Sequence, residues 1–299
     1  MIQVFQSTNR AHLPFIIPAL LVMLIIGLYP ILYSVGLSLS EFSINTPEVN
    51  LVGFHNYVSV LQDSAFWSAV RVTILYVVGS VISEFFIGLL LALILIGNIR
   101  GKSFFYITLL IPFATAPILM GTLASPTGFW DDINTGLYYG TGLGLFIDLF
   151  QPMVYHSIII LSDAWLWSPL FMLIFLAIIE SIPRELYEAA EISGASKLQI
   201  FQKITFQAVV RSKVTAFVLS LRVVDAFRTF EIPYAWTFWL GQEQLGGPVD
   251  TLSILMWKLF TTSAYEFPIA RIATISIIML FITMAFAALT LRLGGKDFV

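Results

Sequence analysis

Residues 181–204 read Ser181-Ile-Pro-Arg-Glu-Leu-Tyr-Glu-Ala-Ala-Glu-Ile-Ser-Gly-Ala-Ser-Lys-Leu-Gln-Ile-Phe-Gln-Lys-Ile204, and they separate two long apolar runs. Pro183 suits the first position of a helix, and Gly194 suits the left-handed position just after the end of one. Ser196 with Gln199 three residues later has the form of a capping box, which starts a helix. The stretch therefore predicts a helix, a turn and a short second helix within one polar segment.

The chain around this segment is strongly apolar. Of its 299 residues 58% are hydrophobic and only 11% are charged, and the mean hydropathy is +0.90. Soluble domains carry about 25% charged residues, so this chain has too few to cover a water-soluble surface and is predicted to be an integral membrane protein. A net charge of −3 without a long basic run argues against nucleic acid as a partner. Runs long enough to cross about 30 Å of hydrocarbon lie at residues 13–37, 67–96, 104–123, 154–179, 214–230 and 272–291.

The basic residues predict the orientation of these six runs, because cytoplasmic loops retain Lys and Arg. Segments on one side of the membrane collect most of the basic residues, whereas the opposite segments hold only Lys258, which we expect in an interfacial helix. We therefore predict an all-α membrane protein with six transmembrane helices and both termini in the cytoplasm. The residues that set this orientation are Arg10, Arg100, Lys102, Arg184, Lys197, Lys203, Arg211, Lys213, Arg292 and Lys296.

Two interpretations fit the first helix of the polar segment. Its glutamates form an acidic rim and its alanines allow another surface to approach closely, which is typical of a docking element. An amphipathic connector on the lipid headgroups has a similar pattern, although three glutamates disfavour an anionic surface. The glutamates are Glu185, Glu188 and Glu191, and the small-residue stripe is Leu186, Ala189 and Ala190.

The order of residues favours the docking element. Glu188-Ala-Ala, Gly194 and Ile204 resemble, in identity and spacing, the EAA loop of the permease subunits of bacterial and archaeal ATP-binding-cassette (ABC) importers. The chain departs from that family at Phe206-Gln207, where the family has Leu-Pro, and at Ser193, where Asp is usual.

The resemblance extends to the carbohydrate-uptake branch, the maltose and glycerol-phosphate type permeases. It implies a type I ABC importer permease fold, with an N-terminal helix and outer segment at 1–66, a transmembrane domain at 67–295 and the coupling loop at about 181–207. The landmarks are Tyr29-Pro30, Val52-Gly-Phe-His-Asn-Tyr57, Leu110-Ile-Pro112, Asp163-Ala-Trp-Leu-Trp-Ser-Pro169, Ile182-Pro-Arg-Glu-Leu186 and Gly246-Gly-Pro248.

The family also implies the partners. Two permease subunits pair in the cell membrane of a bacterium or archaeon, and the second is usually a different homologous chain. Two ATPase subunits bind ATP and Mg, and an extracytoplasmic solute-binding protein delivers a sugar, oligosaccharide or polyol. The chain itself is expected to bind no cofactor and to catalyse no reaction. Coupling to the ATPase falls on Glu188, Ala189, Ala190, Gly194, Glu185 and Tyr187.

Several charged residues fall within predicted spans, where an isolated charge costs roughly 2.5–3.5 kcal/mol at the membrane centre. Arg222 and Glu84 lie at similar predicted depths, so we expect an ion pair between them. The set is either structural, holding the fifth span in place, or it lines the translocation path or gate. The candidate residues are Glu84, Asp163, Trp167, Arg222, Asp225, Phe227 and Arg228.

Two other functions remain open. A secondary transporter driven by an ion gradient would also place charges at mid-membrane, but such transporters normally have inverted repeats, which the sequence lacks. A membrane-embedded enzyme would need convergent catalytic groups, and neither H-E-x-x-H nor G-x-S-x-G occurs.

Overall fold

The structure, a computed structural model, is mostly helical. It describes residues 13–43, 46–97, 101–125, 132, 135–136, 152–241, 244–262 and 268–293. A hairpin of two antiparallel strands, β1 (Ser40–Ser43) and β2 (Thr46–Leu51), follows the first helix. The helices are α1 (Leu13–Ser38), α2 (His55–Gln62), α3 (Ser64–Leu95), α4 (Lys102–Leu110), α5 (Pro117–Ala124), α6 (Pro152–Glu180), α7 (Arg184–Ile192), α8 (Lys197–Ile200), α9 (Phe206–Arg211), α10 (Lys213–Phe227), α11 (Glu231–Trp239), α12 (Leu252–Thr262) and α13 (Ile269–Leu293).

Among the described residues, four helices are long and apolar enough to cross a membrane: α1, α3, α6 and α13. Two bent pairs are further candidates: the stretch containing α4 meets α5 at 90°, and Lys197–Arg211 meets Lys213–Trp239 at 57°. The predicted all-α membrane fold is confirmed, whereas six spans are reached only if each bent pair counts as one. Both termini, with Arg10 and Lys296, lie outside the described residues, as does Arg100, so the cytoplasmic placement of the termini stays a prediction.

The predicted span at residues 104–123 is not one straight helix. A 3₁₀ turn occupies Pro112–Ala114, and α5 begins at Pro117. Between them Thr115 and Ala116 are extended, with ψ angles of 141° and 131°. Proline lacks the N–H that continues a helix, and the residue before a proline avoids the helical region. The two prolines therefore replace a straight span with a sharp bend.

The chain divides into two compact units. One consists of Met1–Asp63 with Leu259–Ile278, and the other of Ser64–Lys258 with Met279–Val299. The first unit contains α1, the hairpin and α2. The second contains α3 to α11, and with them all the residues predicted for coupling and for the translocation path.

Polar contacts hold the first unit together. The Asn56 side-chain amide donates hydrogen bonds to the carbonyl oxygens of Ser38, at 3.0 Å, and Ser40, at 2.8 Å. Arg271 forms an ion pair with Asp63. These bonds fix the end of α1 and the start of the hairpin against α2.

The long helices α3 and α6 form the core of the second unit. Leu89 on α3 is buried in one cluster with Phe171 and Phe175 on α6. The helices approach most closely at Gly88, where an added Cβ would lie 2.5 Å from the Cβ of Phe171 and 3.1 Å from the backbone nitrogen of Met172. Small residues allow the backbones of membrane helices to approach closely. Such packing is important in a membrane because lipid chains solvate apolar side chains about as well as protein does.

This packing predicts the effect of filling the space at Gly88. Gly88→Ala should destabilise the protein by about 1–3 kcal/mol, because the new methyl group overlaps α6. Gly27→Ala is the control, since an added Cβ there meets nothing within 4 Å. Thermal unfolding of the purified protein measures both, and equal melting temperatures would contradict the close contact.

Candidate functional site

The segment predicted to couple the chain to a partner begins with α7, and local backbone geometry fixes both of its ends. Pro183 is the N-cap, with ψ 134°, so the helix starts one residue later than expected. Gly194 has φ +75°, and its N–H donates to the carbonyl of Glu191 at 3.0 Å. The N–H of Ala195 donates to the carbonyl of Ala190 at 3.0 Å, which completes a Schellman motif. The prediction that Gly194 ends the helix is confirmed.

The second helix begins as predicted. The N–H of Ser196 donates to the side-chain oxygen of Gln199 at 2.8 Å, and the N–H of Gln199 donates to the Ser196 hydroxyl at 3.3 Å, so the capping box is present. From α8 the chain continues through a π-helical turn at Phe201–Thr205 into α9. Gln207, where the resembled family has proline, retains its N–H. The chain therefore stays helical up to the break at Ser212.

The two sides of α7 differ in their contacts. The Tyr187 hydroxyl lies 3.1 Å from the hydroxyl of Thr205, which is buried in the π-helical turn. This hydrogen bond attaches the Tyr187 side of α7 to that turn. About 160° around the helix the side chains are exposed, and Ile192 is 88% exposed. We call this the exposed face of α7, and it consists of Glu185, Glu188, Ala189 and Ile192.

The other predicted coupling residues lie elsewhere in the segment. Ala190 and Gly194 line a groove of about 400 Å³ together with Gln199 and Ile200 of α8. Tyr187 makes an internal contact, so its position suits holding the helix in place. The exposed face of α7 therefore offers carboxylates and a small residue for docking, and the groove lies beside it.

A second site lies inside the membrane-spanning part of the same unit, around Arg222 of α10. Its Nε donates to Glu84 Oε2 at 2.9 Å, and its Nη2 donates to Glu84 Oε1 at 2.7 Å. Nη2 also pairs with Asp163, and Nη1 donates to Asp225 Oδ2 at 3.1 Å. The guanidinium carbon lies 4.7 Å from the centre of the Trp167 ring. The expected Glu84–Arg222 pair is thus present in the structure.

Burial makes this charge cluster costly to break. Glu84, Asp163 and Arg222 are each at most 3% exposed, and they come from α3, α6 and α10. Bidentate hydrogen bonds and stacking on Trp167 replace the water that a buried guanidinium loses. The Asp225 side chain is 42% exposed, so one edge of the cluster remains open.

Two predicted path residues do not join the cluster. Phe227 is buried, with its ring centre 5.3 Å from that of Phe286, and Arg228 is exposed at the end of α10. Residues spaced by three turn about 60° around a helix at each step. The step from Arg222 to Asp225 keeps a hydrogen bond, whereas a second step places Arg228 at the exposed end of the helix, where it interacts with Asp225 only electrostatically.

A second buried ion pair was not predicted from the sequence. Lys258, expected in an interfacial helix, is only 1% exposed, and its Nζ lies 2.8 Å from the Asp250 carboxylate. Asp250 also accepts the N–H of Gly247 at 2.8 Å. The two residues are eight positions apart and do not lie on one helix, so helical spacing could not predict that they pair. The interfacial position of this helix stays a prediction, and the buried ion pair is an addition to it.

Similarity to known proteins identifies the family. No protein-family model matches the chain, so the relationship rests on individual proteins. A probable ABC transporter permease protein of Sinorhizobium fredii is 30% identical over 287 residues, covering 92% of this chain and 86% of that protein. The chain belongs to the ABC transporter permeases. The trehalose/maltose transport system permease protein MalF of Thermococcus litoralis is also 30% identical, with 93% of this chain and 92% of that protein covered.

The fold of this permease agrees with that assignment. It matches the crystal structure of a bacterial ABC transporter involved in the import of the acidic polysaccharide alginate, with a TM-score of 0.70 and 23% identity over 97% of this chain and 98% of that chain. The expected permease fold is confirmed. The alternative of a secondary transporter receives no support from these relatives.

The buried cluster gives this permease a testable weak point. Arg222→Met should destabilise it by about 3–5 kcal/mol, because Glu84 and Asp163 would remain buried without a cation. Arg228→Met, at an exposed arginine, serves as the control. The amount of folded protein in the membrane and its melting temperature measure the effect.

Neutralising the carboxylates that Arg222→Met leaves unpaired should restore part of the lost stability. Arg222→Met combined with Glu84→Gln and Asp163→Asn should recover part of the folded protein, since only neutral groups remain buried. If Arg222→Met is as stable as Arg228→Met, the cluster does not hold the helices together.

Proposed function

We propose that this permease forms half of the pore of an ATP-driven, binding-protein-dependent importer for a sugar, oligosaccharide or polyol. It is a multi-pass protein of a bacterial or archaeal cell membrane with both termini in the cytoplasm. The observation that carries the proposal is the exposed face of α7, which is acidic, contains a small residue and is held from behind by Tyr187. A surface fixed in this way suits the docking of an ATPase subunit whose conformational change is passed on to the permease.

The substrate class is supported by what the relatives transport. MalF of Thermococcus litoralis is named for trehalose and maltose. The arabinooligosaccharides transport system permease protein AraP of Bacillus subtilis is 28% identical and aligns with 98% of this chain. We extend the shared feature of these solutes, a chain or ring of hydroxyl groups, to this permease.

ATP and Mg bind, in this proposal, to two separate ATPase subunits, and this chain holds no cofactor. A second, homologous permease subunit completes the pore, and an extracytoplasmic solute-binding protein delivers the substrate. An alginate transporter of the same fold has been crystallised in complex with a substrate-bound periplasmic protein, which supports the last partner. The Ile17–Ser38 part of α1 has a span window that is 0% buried, which leaves its surface for lipid or for another subunit.

The connection between motor and pore follows the covalent chain. A partner that binds the exposed face of α7 moves α7 together with the turn that Tyr187 holds. That turn continues through α9 into α10, which carries Arg222. Since Arg222 binds α3 and α6, a shift of the coupling segment is passed to three helices of the pore. ATP binding then favours one pore conformation over another through differential contacts with α7.

We assign two roles within the buried cluster. Glu84, Asp163 and Arg222 are fully buried and act as structural ties. Asp225 and Trp167 are partly accessible at the edge of the cluster. We assign them to the gate or path, because a residue with that role has to be accessible to the solute. Hydroxyl groups can bond to a carboxylate, and sugar C–H faces can stack on an aromatic ring.

Uptake into proteoliposomes tests the proposal. The complete complex, with ATPase and binding protein, should accumulate labelled trehalose, maltose or arabino-oligosaccharide only when ATP is supplied on the ATPase side. Uptake that persists without ATP and collapses when an ion gradient is removed would refute it. Chemical conversion of the sugar without uptake would favour an enzyme.

The coupling face makes a sharper prediction. Glu185→Gln with Glu188→Gln should lower ATP-dependent uptake about tenfold or more, because a charge-assisted hydrogen bond contributes about 1.5–3 kcal/mol. Glu191→Gln, at a residue that is also exposed but lies only about 40° around the helix from Tyr187, should retain most uptake. Co-purification of the ATPase with the permease measures docking directly, and unchanged ATPase yield with the double variant would contradict this role.

A further inference from the structure

A larger groove lies beside the coupling segment, at the elbow where α6 turns into α7 and α9 turns into α10. Its volume is about 1050 Å³, at the upper limit of typical small-molecule pockets, which is about 1,000 Å³. Ile174, Ala177 and Ile178 on one face of α6 form one wall, and Val214 of α10 contributes to the other. These residues belong to helices that are candidate membrane spans, so we expect the apolar walls to contact lipid chains.

The end of the groove toward the coupling segment is charged. Arg211 and Lys213 line it from both sides of the break at Ser212, and both are exposed. Glu185 also lines the groove, so two cations and one carboxylate leave it net positive. Basic groups where membrane helices end at the cytoplasmic surface attract anionic lipid headgroups.

We propose that this groove binds an anionic phospholipid. Arg211 and Lys213 hold the phosphate, and one acyl chain lies along Ile174, Ile178 and Val214. The order of the lining, apolar within the membrane and cationic at its surface, matches the order of groups along such a lipid. A protein segment would need a matching sequence of apolar and acidic residues, whereas lipid surrounds the groove at high concentration.

The lipid would act at the base of the coupling segment. Glu185 and Leu186, in the first turn of α7, line the same groove as Ile178 and Ile182 near the end of α6. An occupied groove therefore supports the angle between the membrane helix and α7. This inference does not depend on which solute is transported.

Fluorescence quenching in the assembled complex tests the proposal. The chain has no cysteine, so Val214→Cys, at a residue that is 53% exposed, places a single fluorophore in the groove. Nanodiscs are made with phosphatidylglycerol or phosphatidylcholine carrying brominated acyl chains. We expect brominated phosphatidylglycerol to quench the fluorophore at least twofold more than brominated phosphatidylcholine at equal content.

Charge variants show whether the basic pair causes this preference. Arg211→Gln with Lys213→Gln should make the two lipids quench equally. Lys197→Gln with Lys203→Gln removes the same charge from the same cytoplasmic segment outside this groove, and should keep the preference for phosphatidylglycerol.

Three results would overturn the proposal. Equal quenching by both lipids with Arg211 and Lys213 intact means that the groove does not select an anionic lipid. An equal loss of preference in both double variants means that general surface charge attracts the lipid. Absence of quenching by either lipid, with crosslinking of a benzophenone at Val214→Cys to another subunit, means that protein fills the groove.

Discussion

The arrangement of the pore helices depends on one guanidinium group that cannot remain unpaired inside a membrane. Apolar packing alone chooses poorly among helix neighbours in lipid, because lipid chains solvate leucine as well as protein does. A buried Arg222 removes that ambiguity, since it must find carboxylates, and these are on α3 and α6. The close contact at Gly88 fixes the separation of the same two helices. The ion pairs thus select which helices pack together, and the absence of a side chain at Gly88 sets the distance between α3 and α6.

The same helix that carries this constraint also leads to the coupling segment. Ser212 breaks the helix before α10, with ψ 131°, so Lys197–Arg211 lies at 57° to Lys213–Trp239. Each turn in the segment has its own local stabilisation, from the Schellman motif after α7 to the capping box before α8. The turns of this segment are therefore stabilised locally, which suits the coupling role proposed for α7.

Local features of the backbone were predicted correctly from the sequence. A contact between distant residues was predicted where an unpaired charge inside the membrane would be too costly. Gly194 and the Ser196–Gln199 box depend on backbone geometry within a few residues. The Glu84–Arg222 pair was predictable because charges at the same membrane depth must meet. The bend after α4 was missed because a hydropathy average over residues 104–123 does not register the missing N–H groups of its prolines. The buried pair of Lys258 with Asp250 was missed because a turn lies between the two residues.

Charge separates the two surfaces near the elbow. Glu188 of the exposed face of α7 lies outside the lining of the larger groove, whereas Arg211 and Lys213 line it together with Glu185. A basic protein surface is attracted to the first and repelled by the second, and an anionic headgroup has the opposite preference. Glu185 belongs to both surfaces, so the proposed ATPase and the proposed lipid meet at the first turn of α7. Both partners, as proposed, would act on the same turn of helix, one through the carboxylates of α7 and the other through the basic pair beside it.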